Sequence, residues 1–443
     1  MKIHCYYSVL LIYLLCPCAA RVEIDKITQD LPGCSHWNFD AFSGYIPVDE
    51  TNQYHYVFLE SQNNPVEDPL IIIFSGGPGC SAMNTLFQEN GPCTFYGYDT
   101  NPVPHDNQYS WNTNASTLYV ESPLGVGYNL GYQQEENTDE KSAELHLEFI
   151  KQWYQKYPEF KSNDLYLNGE SYVGVYVPML AVSLHQANLT TKSGGFLNLK
   201  GIMVGNPMTS WEHDARPAYI EMAYFHGLIP KHLKDSIDQN NCTYRSFNQS
   251  PLSKICEENL EKCSKFDENI NPLDIYRKFG DGFASPAHFD IPSLYEKSDL
   301  DALLGTTYAE YLNREDVMEM LNIPKSKEYF LPCSDVNYTQ NEKASFWTYP
   351  LIKEYGYKIL VYSGDTDGVV PTLGTWKWIS DLGWDIKEHQ KQWVVDGKVE
   401  GFYHQFDGLD FLIFHGAGHL VPIWRKKESH IAVFSWINQR KFP

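Results

Sequence analysis

Three short stretches of this 443-residue chain carry residue types that together can cut an acyl bond. Ser171 stands in the run Asn168, Gly169, Glu170, Ser171, Tyr172, Val173, Gly174. Asp365 and Asp367 follow Gly364, and His415 and His419 frame the run Gly416, Ala417, Gly418. A serine hydroxyl is a weak nucleophile at its own pKa. It needs a base, ordinarily His, and a carboxylate that orients that His and stabilises its charged form. Ser171 is assigned as nucleophile, His419 in its glycine-framed loop as general base and acid, and Asp367 as the orienting carboxylate. Asp365 and His415 are the alternatives. His415, closer to an apolar run, reads as a core histidine satisfied by backbone.

Each stretch needs an element to position it. Apolar runs precede all three, at residues 165–167, 358–362 and 409–414, and each suits a buried strand. After Ser171 an apolar segment continues to about residue 188 with helical spacing. A serine on a sharp strand-to-helix turn resembles the nucleophile elbow of α/β hydrolases, although Val173 stands where the second glycine of G-x-S-x-G would fall. The chain order Ser, Asp, His matches that fold too, and its acid loop usually has the spacing seen from Gly364 to Asp367.

The rest of the chain supplies compatible parts. Residues 42–48 and 54–60 alternate as a half-buried hairpin. Residues 70–74 form a continuous apolar run that ends in Ser75, Gly76, Gly77, Pro78 and Gly79, a loop of bare backbone amides at a sheet edge. Residues 118–121 and 201–204 read as further strands. Thr138 is expected to cap a helix over 139–157, with Ala143, Leu147, Ile150 and Tyr154 on one face and acidic residues at its start. Residues 429–438 read as a closing helix. Between 208 and 345 the strand–helix rhythm is lost. The expected architecture is an α/β-hydrolase fold: a mostly parallel central sheet with helices on both faces and an inserted, largely helical cap. Its parts are a core over 21–207, the cap over 208–345 and the rest of the core over 346–443.

Composition bounds the function. A formal net charge of −22 argues against nucleic acid as a partner. Residues 1–20 read as a secretory signal peptide: Lys2, an apolar run at 9–15, then Cys18, Ala19 and Ala20 for cleavage. No later stretch is long and apolar enough to span a bilayer. Beyond residue 20 seven cysteines remain, Cys34, Cys80, Cys93, Cys242, Cys256, Cys263 and Cys333, with no zinc-like spacing. In an oxidising pathway some should pair. Asn114, Asn188, Asn241, Asn248 and Asn337 open sequons and are candidate glycosylation sites.

Taken together, SGGPGCSA (75–82), QENGP (88–92), ESPLGVGY (121–128), NGESYVGVYVP (168–178), GNP (205–207), YSGDTDGVVPTLGTW (362–376) and GAGHLVP (416–422) resemble the serine carboxypeptidase family over nearly the whole chain after residue 31. The resemblance implies removal of C-terminal residues from peptides with a free C-terminus, through an acyl-enzyme at acidic pH, with no metal and no cofactor. It implies an oxyanion hole from the amides of Gly77 and Tyr172. It implies recognition of the substrate carboxylate by Ser75, Gly76, Glu89 and Glu170, and a disulfide from Cys80 to Cys333. The destination it implies is the secretory pathway, ending in lysosome, vacuole or the exterior. Two positions depart from the family pattern. Ser75 replaces an Asn that helps hold the carboxylate, as in a related acyltransferase branch, and Ile73 replaces a Trp, a change expected to alter a pocket wall. Glu170, replaced by Asp in many of those transferases, is intact.

Overall fold

The computed structural model describes residues 23–95, 103–190, 197–242, 252–267, 270–277, 306–327, 329–439 and 442. The expected signal peptide lies outside them.

The strongest apolar runs lie at the middle of one ten-stranded sheet. Its strands are β1 (Ala41–Pro47), β2 (Gln53–Leu59), β3 (Leu70–Phe74), β4 (Ser116–Val120), β5 (Leu165–Glu170), β6 (Leu199–Gly205), β7 (Lys358–Gly364), β8 (Ile386–Val395), β9 (Lys398–Phe406) and β10 (Leu409–Phe414). Their order is β1-β2-β4-β3-β5-β6-β7-β10-β9-β8. The six from β4 to β10 run parallel. Every residue of β3 and β5 is buried, as expected of strands covered on both faces. Antiparallel hairpins close the sheet at each edge, β1 with β2 and β8 with β9.

The β8–β9 hairpin is absent from the sequence reading. Most of β8 is exposed and polar, and only Trp393 and Val395 on it are buried, so little apolar alternation marks it. A smaller difference lies at the elbow. β5 runs on through Asn168, Gly169 and Glu170, where a break after Leu167 was expected, because pairing with Met203, Val204 and Gly205 of β6 satisfies its backbone.

Helices cover both faces. α1 (Asp139–Lys156) begins where Thr138 Oγ1 accepts the Lys141 amide at 3.1 Å, with Asp139 and Glu140 in its first turn. It buries Ala143, Ile150 and Tyr154 together with Leu145, His146, Phe149 and Trp153. α2 (Val173–Thr190) leaves the elbow, and its first half is wholly buried. Within 208–345 lie α3 (Arg216–Phe225), α4 (Lys231–Gln239) and α5 (Lys254–Asp267). They close over a small separate core that includes Ile220, Leu233, Ile237, Cys242 and Cys256. Later parts of the segment join the main core instead, through Tyr308, Leu312, Leu321 and Phe330. α6 (Thr372–Asp381) and α7 (Lys426–Ile437) complete the C-terminal part. Tyr166 of β5 and Trp436 of α7 meet edge to face, with centroids 5.8 Å apart.

Disulfides join Cys34 to Cys93, Cys80 to Cys333 and Cys242 to Cys256; buried Cys263 is in none of these bonds. Cys80–Cys333 sits in a strip where residues 332–334 run alongside 79–81: Ser81 N donates to Pro332 O at 2.9 Å and Ser334 N to Gly79 O at 2.8 Å. Among the described residues no helix is long and apolar enough to cross a membrane.

Candidate active site

Parallel strands release their loops at one edge, and a ligand can sit there against the ends of several strands. β5 ends at Glu170, and Ser171 is the first residue of the turn into α2. Its φ is +65°, a region a non-glycine residue enters only when its surroundings hold it there. Those surroundings are explicit. Ser171 N donates to Gly205 O at 2.9 Å, and Ser171 O accepts from Gly174 N at 2.9 Å and Met208 N at 3.0 Å. The loop after β3 presses against the same turn. A Cβ on Gly76 would fall 2.8 Å from both Ser171 Cβ and Tyr172 N, so glycine is required for that approach. Among the described residues the backbone N–H groups of Gly77 and Tyr172 have no acceptor. Tyr172 is fixed from its other end, where its hydroxyl donates to Asp139 Oδ1 at 2.9 Å.

The loops after β7 and β10 bring Asp367 to His419. Asp367 Oδ2 lies 2.7 Å from His419 Nδ1, and both side chains are buried. Asn206 Nδ2 donates to that same oxygen at 2.7 Å, and Val369 N donates to Oδ1 at 2.7 Å. The carboxylate thus makes three hydrogen bonds, two at Oδ2 and one at Oδ1, and its plane is set. The competing pair proves to be a pair with itself: His415 Nδ1 lies 2.6 Å from Asp365 Oδ2, and Gly416 N donates to Oδ1 at 2.7 Å. His415 is about one-third exposed, so it is not the core histidine its nearness to β10 implied. A strap from the inserted segment ties both loops down. His419 N donates to Leu273 O at 2.7 Å, Gly368 N to Pro272 O at 2.9 Å and Ile275 N to Thr366 O at 3.0 Å.

One cavity collects these groups. Ser75, Gly76, Gly77, Glu89, Glu170, Ser171 and His419 line it, with Cys80, Asn84, Thr85, Leu273, Val369 and Leu420. Ile73, expected to alter a pocket wall, is fully buried in β3 and does not line it, because its side chain belongs to the sheet core. Glu89 comes from a π-helical turn, Thr85–Asn90, and Glu170 from the last residue of β5. The two buried carboxyl groups face each other in this cavity, and Tyr362 Oη donates to Glu170 Oε1 at 3.1 Å. Among the described residues no other donor reaches Oε2 of either. Two buried carboxyls in contact cannot both ionise, so they share a proton. Burial first, and the neighbouring Glu89 second, hold Glu170 well above the usual carboxylate range. Burial also raises Glu89, against opposing pulls that include Lys426, Thr85 and His419.

Sequence reasoning did not single out Asn206, the Leu273 strap or Lys426 as parts of this site. Asn206 was visible only as a member of the GNP motif at the end of β6. Of the sequons, Asn114, Asn241 and Asn337 are exposed and Asn248 lies outside the described residues. The Asn188 side chain is engaged on both sides, its Nδ2 donating to Leu197 O and its Oδ1 accepting from Leu197 N, each at 2.9 Å. Among the described residues no group of three or more His, Cys, Asp or Glu could hold a metal ion.

Comparison with known proteins gives a consistent picture. The chain is 30% identical to serine carboxypeptidase-like 34 of Arabidopsis thaliana, over 96% of this chain and 90% of the relative. It is 29% identical to the lysosomal protective protein of Mus musculus, over 98% and 99%. In fold it is similar to a Kex1 prohormone-processing carboxypeptidase of Saccharomyces cerevisiae, with a TM-score of 0.77, 21% identity and coverage of 94% and 96%. A family model described as serine carboxypeptidase matches residues 32–439. With the sheet, the elbow and the acid–base pair already in place, these matches make the chain a member of the serine carboxypeptidase family.

Proposed function

We propose that this chain is an acid-active serine carboxypeptidase that releases C-terminal residues from peptides and works in the secretory pathway, in a lysosome or vacuole or outside the cell. The observation that carries the reading is the pair of buried carboxyls, Glu89 and Glu170, in the same cavity as Ser171 and His419. A hydrolase with no interest in chain ends has no evident use for a protonated dicarboxyl beside its nucleophile. A substrate carboxylate has one, because it can accept a hydrogen bond from the shared proton.

The chemistry follows from position. Ser171 Oγ attacks the scissile carbonyl carbon while His419 takes its proton, and Asp367 stabilises the resulting imidazolium. The developing oxyanion is met by the N–H groups of Gly77 and Tyr172. Collapse breaks the C–N bond, and His419 returns the proton to the departing amine, which leaves as the free terminal amino acid. Water then attacks the acyl-enzyme with His419 again as base, releasing the shortened peptide and restoring Ser171.

A second reading, transfer of the acyl group to an alcohol, is favoured by Ser75 alone. Its short hydroxyl in the carboxylate loop offers less reach than the side-chain amide that the resemblance leads one to expect there. Hydrolysis of an N-blocked dipeptide and of its C-terminal amide, measured from pH 4 to 8 in wild type and Ser171→Ala, decides between them. The expected result is Ser171-dependent release from the free acid, strongest in acid, and poor cleavage of the amide. An enzyme that ignores free C-termini yet cleaves or transfers esters would overturn the peptidase reading in favour of the second.

A further inference from the structure

Lys426 occupies an odd place. It opens α7, at the positive end of that helix's dipole, where a cation is disfavoured. Its stem is partly covered and its ammonium group is buried, which pushes its pKa down to about 8. A buried cation at a helix start needs compensation from elsewhere. It comes from the π-helical turn Thr85–Asn90: Lys426 Nζ donates to the carbonyl oxygens of Gln88, at 2.5 Å, and Glu89, at 2.9 Å. These carbonyls lie at the C-terminal end of the turn, where helical carbonyls lack partners of their own and a positive charge is favoured.

From these contacts we infer that Lys426 is the positioning residue of the carboxylate subsite: it pins the turn that presents Glu89 and places a positive charge behind the Glu89–Glu170 pair. The inference rests on the proposed carboxypeptidase reading. The pair is faced by Thr85 from the same turn, Tyr119 from β4, Tyr362 from β7, His419 from the β10 loop, Asp367 from the β7 loop and Lys426 from α7. His419 is needed for the reaction itself. Lys426 touches no reacting atom and is not among the residues lining the cavity. Its charge lowers the cost of ionising Glu89, so it sets the pH at which the pair gives up its shared proton and begins to repel a carboxylate.

The sign of the effect separates this role from a merely structural one. Removing a nearby cation makes the pair hold its proton more tightly. In Lys426→Met the alkaline limb of kcat/KM for a free-acid peptide should therefore move to higher pH, by about one unit. The loosened turn should raise KM for the free acid by about 10-fold, with a smaller change in kcat. A variant that had only lost packing would lose activity without moving the limb upward. Lys426→Arg keeps the charge and should return the limb towards wild type. The labelling rate of Ser171 by a fluorophosphonate reports whether each variant is folded. Lys426→Gln, uncharged but able to donate to the same carbonyls, carries the same predicted limb shift and serves if Lys426→Met fails to label. The inference is overturned if a labelling-competent Met or Gln variant keeps the wild-type limb. If wild type itself shows no preference for free acid over amide, it is the carboxypeptidase reading that has failed.

Discussion

Asn206 donates its side-chain amide to Asp367 Oδ2, the same oxygen that holds His419, and both contacts are 2.7 Å long. Asn206 Oδ1 in turn accepts from Gly364 N at 3.1 Å, at the start of the Asp367 loop. One side chain at the end of β6 therefore fixes both the carboxylate and the backbone that carries it. Asp367→Asn should lower kcat by about 10,000-fold, since the imidazole loses the partner that fixes its tautomer. Asn206→Ala leaves the carboxylate in place but less constrained, and should cost about 10-fold in kcat with little change in KM. Steady-state kinetics on an N-blocked dipeptide tests both, and equal losses from the two substitutions would contradict the assignment.

On the proposed reading, Glu170 carries the pH dependence of substrate binding. Its pKa is held well above the usual range, so the pair stays protonated in acid and loses its proton as pH rises. KM for a free-acid substrate should rise with pH accordingly. Glu170→Gln replaces the titrating group with a permanent donor. That variant should bind less tightly in acid, by about 10-fold, and its KM should vary much less with pH. Isothermal titration with a non-cleavable peptide acid across the same range would check this directly.

Glu121 gives a stability test away from chemistry. It is fully buried, accepts from Ser81 Oγ at 2.9 Å and Ala82 N at 3.1 Å, and burial raises its pKa to about 7 from 4.5. A raised folded pKa means the folded state binds the proton more tightly. The resulting stability is complete below pH 4.5 and is lost as pH rises through 7. Glu121→Gln removes that dependence. Wild type should lose up to about 3 kcal/mol relative to the variant between pH 4.5 and 7, on top of a constant offset from the changed hydrogen bonds. Denaturant unfolding at several pH values measures the slope.

His146 works in the opposite direction. It is fully buried among Tyr54, Phe74 and Tyr176, and neither ring nitrogen has a hydrogen-bond partner among the described residues. Burial depresses its pKa to about 3 from 6.5, so the unfolded chain takes up a proton that the folded one refuses. Stability is lost as pH falls below 6.5, by up to about 3 kcal/mol at pH 4.5. His146→Phe, which suits the aromatic surroundings, should raise the melting temperature in acid more than at neutral pH. An equal effect at both would show that packing, not protonation, decides.

Much of the fold was legible because buried parallel strands write themselves as apolar runs. Leu70–Phe74 and Leu409–Phe414 have the bounds expected of them. Elements whose residues face water left no such mark, as in β8. At the elbow the apolar run stops at Leu167, yet Asn168 and Gly169 continue the strand, buried and paired with β6. The residues that the fold gathers around the cavity were legible through local motifs. Their supports were not, because these act across long separations: Asn206 reaches 161 residues to Asp367, and Lys426 reaches 337 to Glu89. No local pattern encodes such a contact. The partners of Cys34 and Cys242 were equally out of reach, since seven cysteines allow many pairings.

The Cys80–Cys333 bond reaches further than its place in the fold implies. It closes a loop spanning 253 positions and lies three residues from the Gly77 amide. By chain entropy alone such a closure is worth about 5 kcal/mol. Maturation of the nascent polypeptide is thereby coupled to thiol oxidation. Without the bond, the Gly77 loop would keep only the backbone hydrogen bonds that join residues 79–81 to 332–334. On the proposed reading, the bond would tie the onset of hydrolysis to the compartment in which it can form.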